Sequence, residues 1–121
     1  LIGQNTGGSV TTGGNNVAIG GQSMSMTTAN SNVGVGYATL KTNITGSNLV
    51  AIGSEALCKT NAYDNIAVGY VASQCNTTGI SNIAIGTCAL RFNETGSSNV
   101  VIGCGAAHIN TITTEVVIIL L

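Results

Sequence analysis

Proline and tryptophan are absent from these 121 residues, phenylalanine occurs once, and charged side chains make up only 6%, against about 25% in a typical soluble domain. Each shortage excludes something. Without Trp and with Phe92 alone, a thick globular core has no bulky side chains to fill it. The interior must be built in thin layers from small and β-branched residues. Lys41, Lys59 and Arg91 are the only lysines and arginines. No basic cluster exists to neutralise phosphates, which argues against a nucleic-acid partner, or to hold an anionic membrane surface. The apolar tail Val116–Leu121 is far shorter than the roughly 20 residues a membrane-crossing helix needs, so no membrane insertion by this segment is expected. Disorder is excluded as well, since the chain is 44% hydrophobic with a net charge of −1, whereas disorder accompanies low hydrophobicity and high charge.

The groups that carry chemistry are as sparse. Glu55, Asp64 and Glu94 share no common position in the repeat described below, and Glu115, which like Asp64 stands two residues before an apolar triplet, is three repeats away from it, so no two are placed as an acid–base pair. His108 has no nucleophile beside it and reads as a surface or packing residue. The Gly7-Gly8 and Gly13-Gly14 runs lack the following Lys-Ser/Thr of a phosphate loop. Cys58, Cys75, Cys88 and Cys104 lack the paired short spacing of a zinc site, and one histidine cannot complete it. No enzyme, metal or cofactor is expected.

What the chain has in abundance is glycine, 17 residues, and seven of them keep time. Gly3, Gly20, Gly36, Gly53, Gly69, Gly86 and Gly103 recur at intervals of 17, 16, 17, 16, 17 and 17, the mark of an internal repeat. Before each glycine from Gly20 onward stands a β-rich triplet such as Val17-Ala18-Ile19 or Ile83-Ala84-Ile85. Before the triplet stands Asn16, Asn32, Asn65, Asn82 or Asn99, with Leu49 in the remaining repeat. Three residues after the glycine comes a small residue and then usually Leu or Met, as in Ala56-Leu57. The longer repeats carry Thr-Gly midway, as at Thr45-Gly46, where the shorter ones carry Thr28-Ala29 or Asn61-Ala62. A glycine in a left-handed turn there would accommodate the extra residue.

The triplets alternate with period two, so they read as strands with Val and Ile on one side and Asn, Ala and Gly on the other. Frequent glycine argues against helix. A unit of about 16 residues cannot bury its own apolar face and must stack on its neighbours. The expected architecture is all-β: a β-solenoid, or parallel β-roll, of about seven coils of 16–17 residues over 1–109, with 110–121 as an exit coil or the start of a next fibre segment. Val, Ile and Leu are expected to form ladders inside, with a second short strand carrying the small-Leu pair. The asparagines are expected to form an amide ladder at a corner. A chain opening on Leu1 is expected to belong to something longer.

Two features stay open at this level. Cys58 and Cys75, like Cys88 and Cys104, lie on neighbouring coils one step out of register, about 5.9 Å apart on the coil and strand spacings and so within disulfide reach; the other reading is free, small apolar residues. Asn43, Asn76 and Asn93 head Asn-x-Thr sequons that read either as turn chemistry or as glycosylation sites in a secretory host.

The stretch Ala84-Ile85-Gly86-Thr87-Cys88-Ala89-Leu90 and its relatives resemble the Asn-x-Ala-Ile-Gly-x-x-Ala-Leu repeats of fibre proteins from phages, large viruses and bacteria, which are related to the head repeats of trimeric autotransporter adhesins. The resemblance spans Ile2 to about Ala107. It implies a homotrimer of rolls packed about a fibre axis, with Ala18, Ala51, Ala67, Ala84 and Gly34 facing the neighbouring rolls. It also implies an extracellular, cell-surface or virion location and attachment to a host or surface through a receptor or glycan held by other parts of the fibre. Adhesin head repeats are nearer 14 residues, so the corners must differ. The competing reading is a repeat-ladder module that binds carbohydrate or ice, for which the regular threonines would have to lie on a flat strand.

Overall fold

The computed structural model describes residues 1–8, 12–108 and 117–119. Seven three-residue strands follow one another: β1 Val17–Ile19, β2 Val33–Val35, β3 Val50–Ile52, β4 Ile66–Val68, β5 Ile83–Ile85, β6 Val100–Ile102 and β7 Val117–Ile119. All pair in parallel, each with the next in sequence, in a single sheet. The register is one triplet over the next, as in Ala51↔Ala67 and Ala67↔Ala84. The chain is therefore a β-solenoid, making five turns between β1 and β6. Most of the exit coil expected over 110–121 lies outside the described residues; β7 within it pairs with β6.

Each coil is held by backbone donors that alternate in direction. The first amide of each triplet from β1 to β5 donates to the coil that follows, as in Ile66 N to Asn82 O at 2.8 Å. The ladder glycine donates to the coil before, as in Gly69 N to Ile52 O at 2.7 Å. These bonds fix the coil spacing at the ordinary inter-strand distance of about 4.8 Å. They also explain the glycines, which sit at φ +116° to +136° with each stacked on the next. A Cβ at Gly69 would stand 2.6 Å from the carbonyl carbon of Gly86, so the position requires the absent side chain as well as the positive φ.

The interior reverses the expected sidedness. Ala18, Ala51, Ala67 and Ala84 are fully buried with Met24, Leu40, Leu57 and Leu90, while Val17, Ile19, Ile52, Ile66 and Ile85 are exposed. The period-two grouping of Asn, Ala and Gly against Val and Ile holds, but the Asn-Ala-Gly side faces in. The cause is width. A coil of 16 or 17 residues leaves room for one Leu-sized side chain and otherwise for methyl groups. Local compensation shows how tight this is. Where the facing residues are Ser23 and Thr39 in place of alanine, the strand residue shrinks to Gly34, whose missing Cβ would lie 2.8 Å from both hydroxyls. Where Leu gives way to Ala107, the strand residue grows to Val101, itself buried.

The second strand of each coil is also replaced. After the ladder glycine, alternate residues adopt left-handed φ, as at Glu55 (59°) and Leu57 (48°) or Cys88 (58°) and Leu90 (51°), which breaks extended backbone. The segment is a run of overlapping turns, with Ala56 N to Gly53 O, Cys58 N to Glu55 O and Thr60 N to Leu57 O. The intervening amides keep the stack, as in Leu57 N to Ala72 O at 3.1 Å.

Replacing Gly69 by Ala is expected to lower stability by about 3 kcal/mol or more through combined clash and strain. Gly105→Ala, at φ +66° with nothing within 4 Å, should cost about 1–2 kcal/mol. Thermal unfolding followed by circular dichroism separates the two.

Candidate functional site

Two buried amide columns run the length of the stack. Asn32, Asn65, Asn82 and Asn99 are buried. Through its Oδ1, each of the asparagines at 16, 65 and 82 accepts the backbone N–H of the equivalent residue one coil on: Asn16 from Asn32 at 2.9 Å, Asn65 from Asn82 at 2.8 Å and Asn82 from Asn99 at 3.1 Å. Leu49, in the amide's place, is buried and donates its backbone N–H to Asn32 Oδ1. Asn48 takes the preceding left-handed position (φ 60°) and reaches Asp64 Oδ1 at 3.1 Å.

The second column consists of the three sequon asparagines, with threonine in the shorter coils. Asn43, Asn76 and Asn93 are fully buried, and Asn43 clasps Gly46 through both amide atoms at 2.8 Å. Each corner glycine carbonyl receives two side-chain donors, one from each column: Asn32 and Asn43 on Gly46 O, Asn65 and Asn76 on Gly79 O, Asn82 and Asn93 on Gly96 O. Both carbonyl lone pairs are thereby filled. In the folded chain the Nδ2 of each of these asparagines is a donor in a buried space, which is the turn chemistry that the sequons also allowed.

The same column sets coil length. Asparagine reaches the residue three ahead, giving 17 residues. Thr27 and Thr60 reach only two ahead, to the amides of Ala29 and Ala62, giving 16. The left-handed glycine expected at this corner is not the cause: Gly46 and Gly79 lack positive φ. They are glycine because a Cβ would overlap the carbonyl oxygens of Ala62 and Gly96 on the next coil.

The remaining candidates disperse. All four cysteines are free thiols, so the two diagonal disulfides are not formed. Burial, then the nearby Glu55 carboxylate, raises the pKa of the Cys58 thiol. Glu55 and Arg91 are joined through Gln74. Arg91 lies over the Phe92 ring, which meets His108 edge-on at 5.0 Å, so His108 packs against an aromatic ring. Three corner threonines donate their hydroxyls to carbonyls of the next coil: Thr28 to Ile44 O, Thr45 to Asn61 O and Thr77 to Glu94 O. Among the described residues there is no pocket and no cluster of three metal-ligating side chains.

What stands out instead is a surface. Val17, Val33, Val50, Ile66, Ile83 and Val100 form one outward column of the sheet, and Ile19, Val35, Ile52, Val68, Ile85 and Ile102 the other. All are exposed or half-buried. The result is a ridged apolar plane one row per coil, free of charge and hydroxyl. Sequence reasoning placed these side chains in the core. The signal that could have corrected it is the constancy of alanine on the opposite side, because the side that tolerates only the smallest residue is the one under packing constraint.

No family model, curated protein or solved structure matches the chain. It stands as a β-solenoid repeat protein on its geometry alone.

Asn82→Ala is expected to cost about 2–4 kcal/mol, since it strands the buried Asn99 amide and halves the donors on Gly96 O. Asn82→Leu, copying the natural Leu49, should cost less, and chemical denaturation ranks the pair. Cys58 should alkylate with iodoacetamide at mildly alkaline pH more slowly than exposed Cys104, as mass spectrometry of timed digests would show.

Proposed function

We propose that this chain is a structural segment of a trimeric extracellular or virion fibre, a shaft or head of about seven coils that supports attachment to a host or surface. The observation that carries the reading is the twelve-residue Val/Ile plane. Exposed apolar patches of this continuity mark interaction surfaces, and a plane with one row per coil is matched best by another stack of the same pitch, a second copy of this chain. Three copies side by side about a common axis bury it completely. The face between copies is thus the Val/Ile plane rather than the alanines, which pack inside each coil. Any receptor or glycan contact belongs to other parts of the fibre.

The rest of the molecule suits a strut. Hydrogen bonds run from coil to coil along the described stack, most buried polar groups serve those bonds, and the described charges lie off the strands. We read no catalytic role and no cofactor in it. The ladder-binding alternative has less support, because the regular threonines Thr28, Thr45, Thr78 and Thr95 stand outside the strands and form no flat ladder.

Light scattering on the chain is expected to give about three times its 12.0 kDa, and Ile52→Lys with Ile85→Lys is expected to reduce this to one chain while circular dichroism stays unchanged. A single-chain mass for the unsubstituted protein would overturn the reading.

A further inference from the structure

The outward face has two further columns at its edges. After each ladder glycine come Gly21, Tyr37, Ser54, Tyr70, Thr87 and Cys104; before each buried amide position come Asn15, Ser31, Asn48, Asp64, Ser81 and Ser98. Read across a row, the tyrosines fall on the two strands whose second aliphatic is valine, giving Val35 with Tyr37 and Val68 with Tyr70. Where that aliphatic is isoleucine, the edge residue is Gly, Ser, Thr or Cys. Exchange of bulk within a row is a packing constraint, and water imposes none. Tyr37 lies against the neighbouring coil, its Cδ2 3.6 Å from where a Cβ of Gly21 would stand. Tyr37 and Tyr70 are still 51% and 55% exposed.

Among the described residues Asp64 is the single charged one in these four columns, and it shares a row with Tyr70. Within the chain its Oδ1 receives Asn48 Nδ2, and among the described residues no other side chain donates to it. Covering the face withdraws this carboxylate from water, which is costly unless donors replace the water. Parallel copies set side by side bring the column after the glycine of one against the column before the amide of the next. In register, the phenol of Tyr70 then meets Asp64. A slip of one coil substitutes the short hydroxyl of Ser54 or Thr87. Antiparallel packing brings each edge column against its own kind and leaves Asp64 without the phenol.

We propose that Tyr70 of one copy donates its hydroxyl to Asp64 of the next, and that this pair, with Tyr37 seated beside Ser31 of the next copy, sets the copies parallel and coil for coil. The proposal rests on the side-by-side association above and adds the residues that fix its direction and register.

Two measurements test it. In the otherwise unaltered chain, Tyr70→Phe is expected to weaken association about tenfold or more in sedimentation velocity, the effect of losing a hydrogen bond to a charged group; an unchanged dissociation constant overturns the pairing. Second, with the four native cysteines replaced by serine, a Tyr70→Cys chain and an Asp64→Cys chain of different tag length are refolded together and oxidised with a copper catalyst. The expected product is the mixed disulfide, well in excess of either self-disulfide. A dominant Tyr70→Cys self-disulfide, or assembly without the mixed product, overturns the register while leaving association intact. A monomeric unsubstituted chain, measured alongside, overturns association itself and the register with it.

Discussion

The spacing enforced by coil-to-coil backbone hydrogen bonds governs the rest of this structure. Once Ile66 N is bonded to Asn82 O and Gly69 N to Ile52 O, every residue sits about 4.8 Å above its counterpart. Any group that cannot tolerate its own copy at that distance is excluded. Charges are excluded from the interior, bulky side chains from the strand's inner position, and side chains of any kind from the ladder glycines. What survives is what stacks on itself: methyl groups, amides that bond the next coil, and bare glycine backbone.

That constraint explains how coils of two lengths share one stack. The extra residue is absorbed entirely at the corner where Asn43, Asn76 and Asn93 or Thr27 and Thr60 close the turn. The strands remain in strict register across both lengths. The Val/Ile plane therefore keeps one row per coil whatever the corner does. Length variation and surface regularity are decoupled.

Much of this was legible in the chain. The seven glycines and the Asn-x-Ala-x-Gly beat gave the solenoid, its parallel strands and the stacking of Asn82 on Asn65. Two things were not. The direction of each face depends on the internal width of a coil, and β-branched residues read as core by default until the run of turns from Gly53 to Thr60 is seen to leave only an alanine's depth opposite the strand. That run was itself read as a strand, because sequence does not reveal that Glu55 and Leu57 take left-handed φ. The candidate surface was hidden by the same inversion, and the two readings of the sequons stayed open because nothing in Asn-x-Thr says that its amide turns inward onto a glycine carbonyl.

The central claim is that alanine lines the inside and Val/Ile the outside, and it is tested most directly by methyl–methyl NOE spectroscopy on the folded protein. The account predicts cross-peaks joining Leu57 and Leu90 to the methyls of Ala51, Ala67 and Ala84, with none from either leucine to Ile52, Ile66 or Ile85 of the same chain. Mixing differently labelled chains separates contacts within a chain from those between copies. Strong intrachain cross-peaks from Leu57 to Ile52 or Ile66, with the alanine methyls silent, would contradict it.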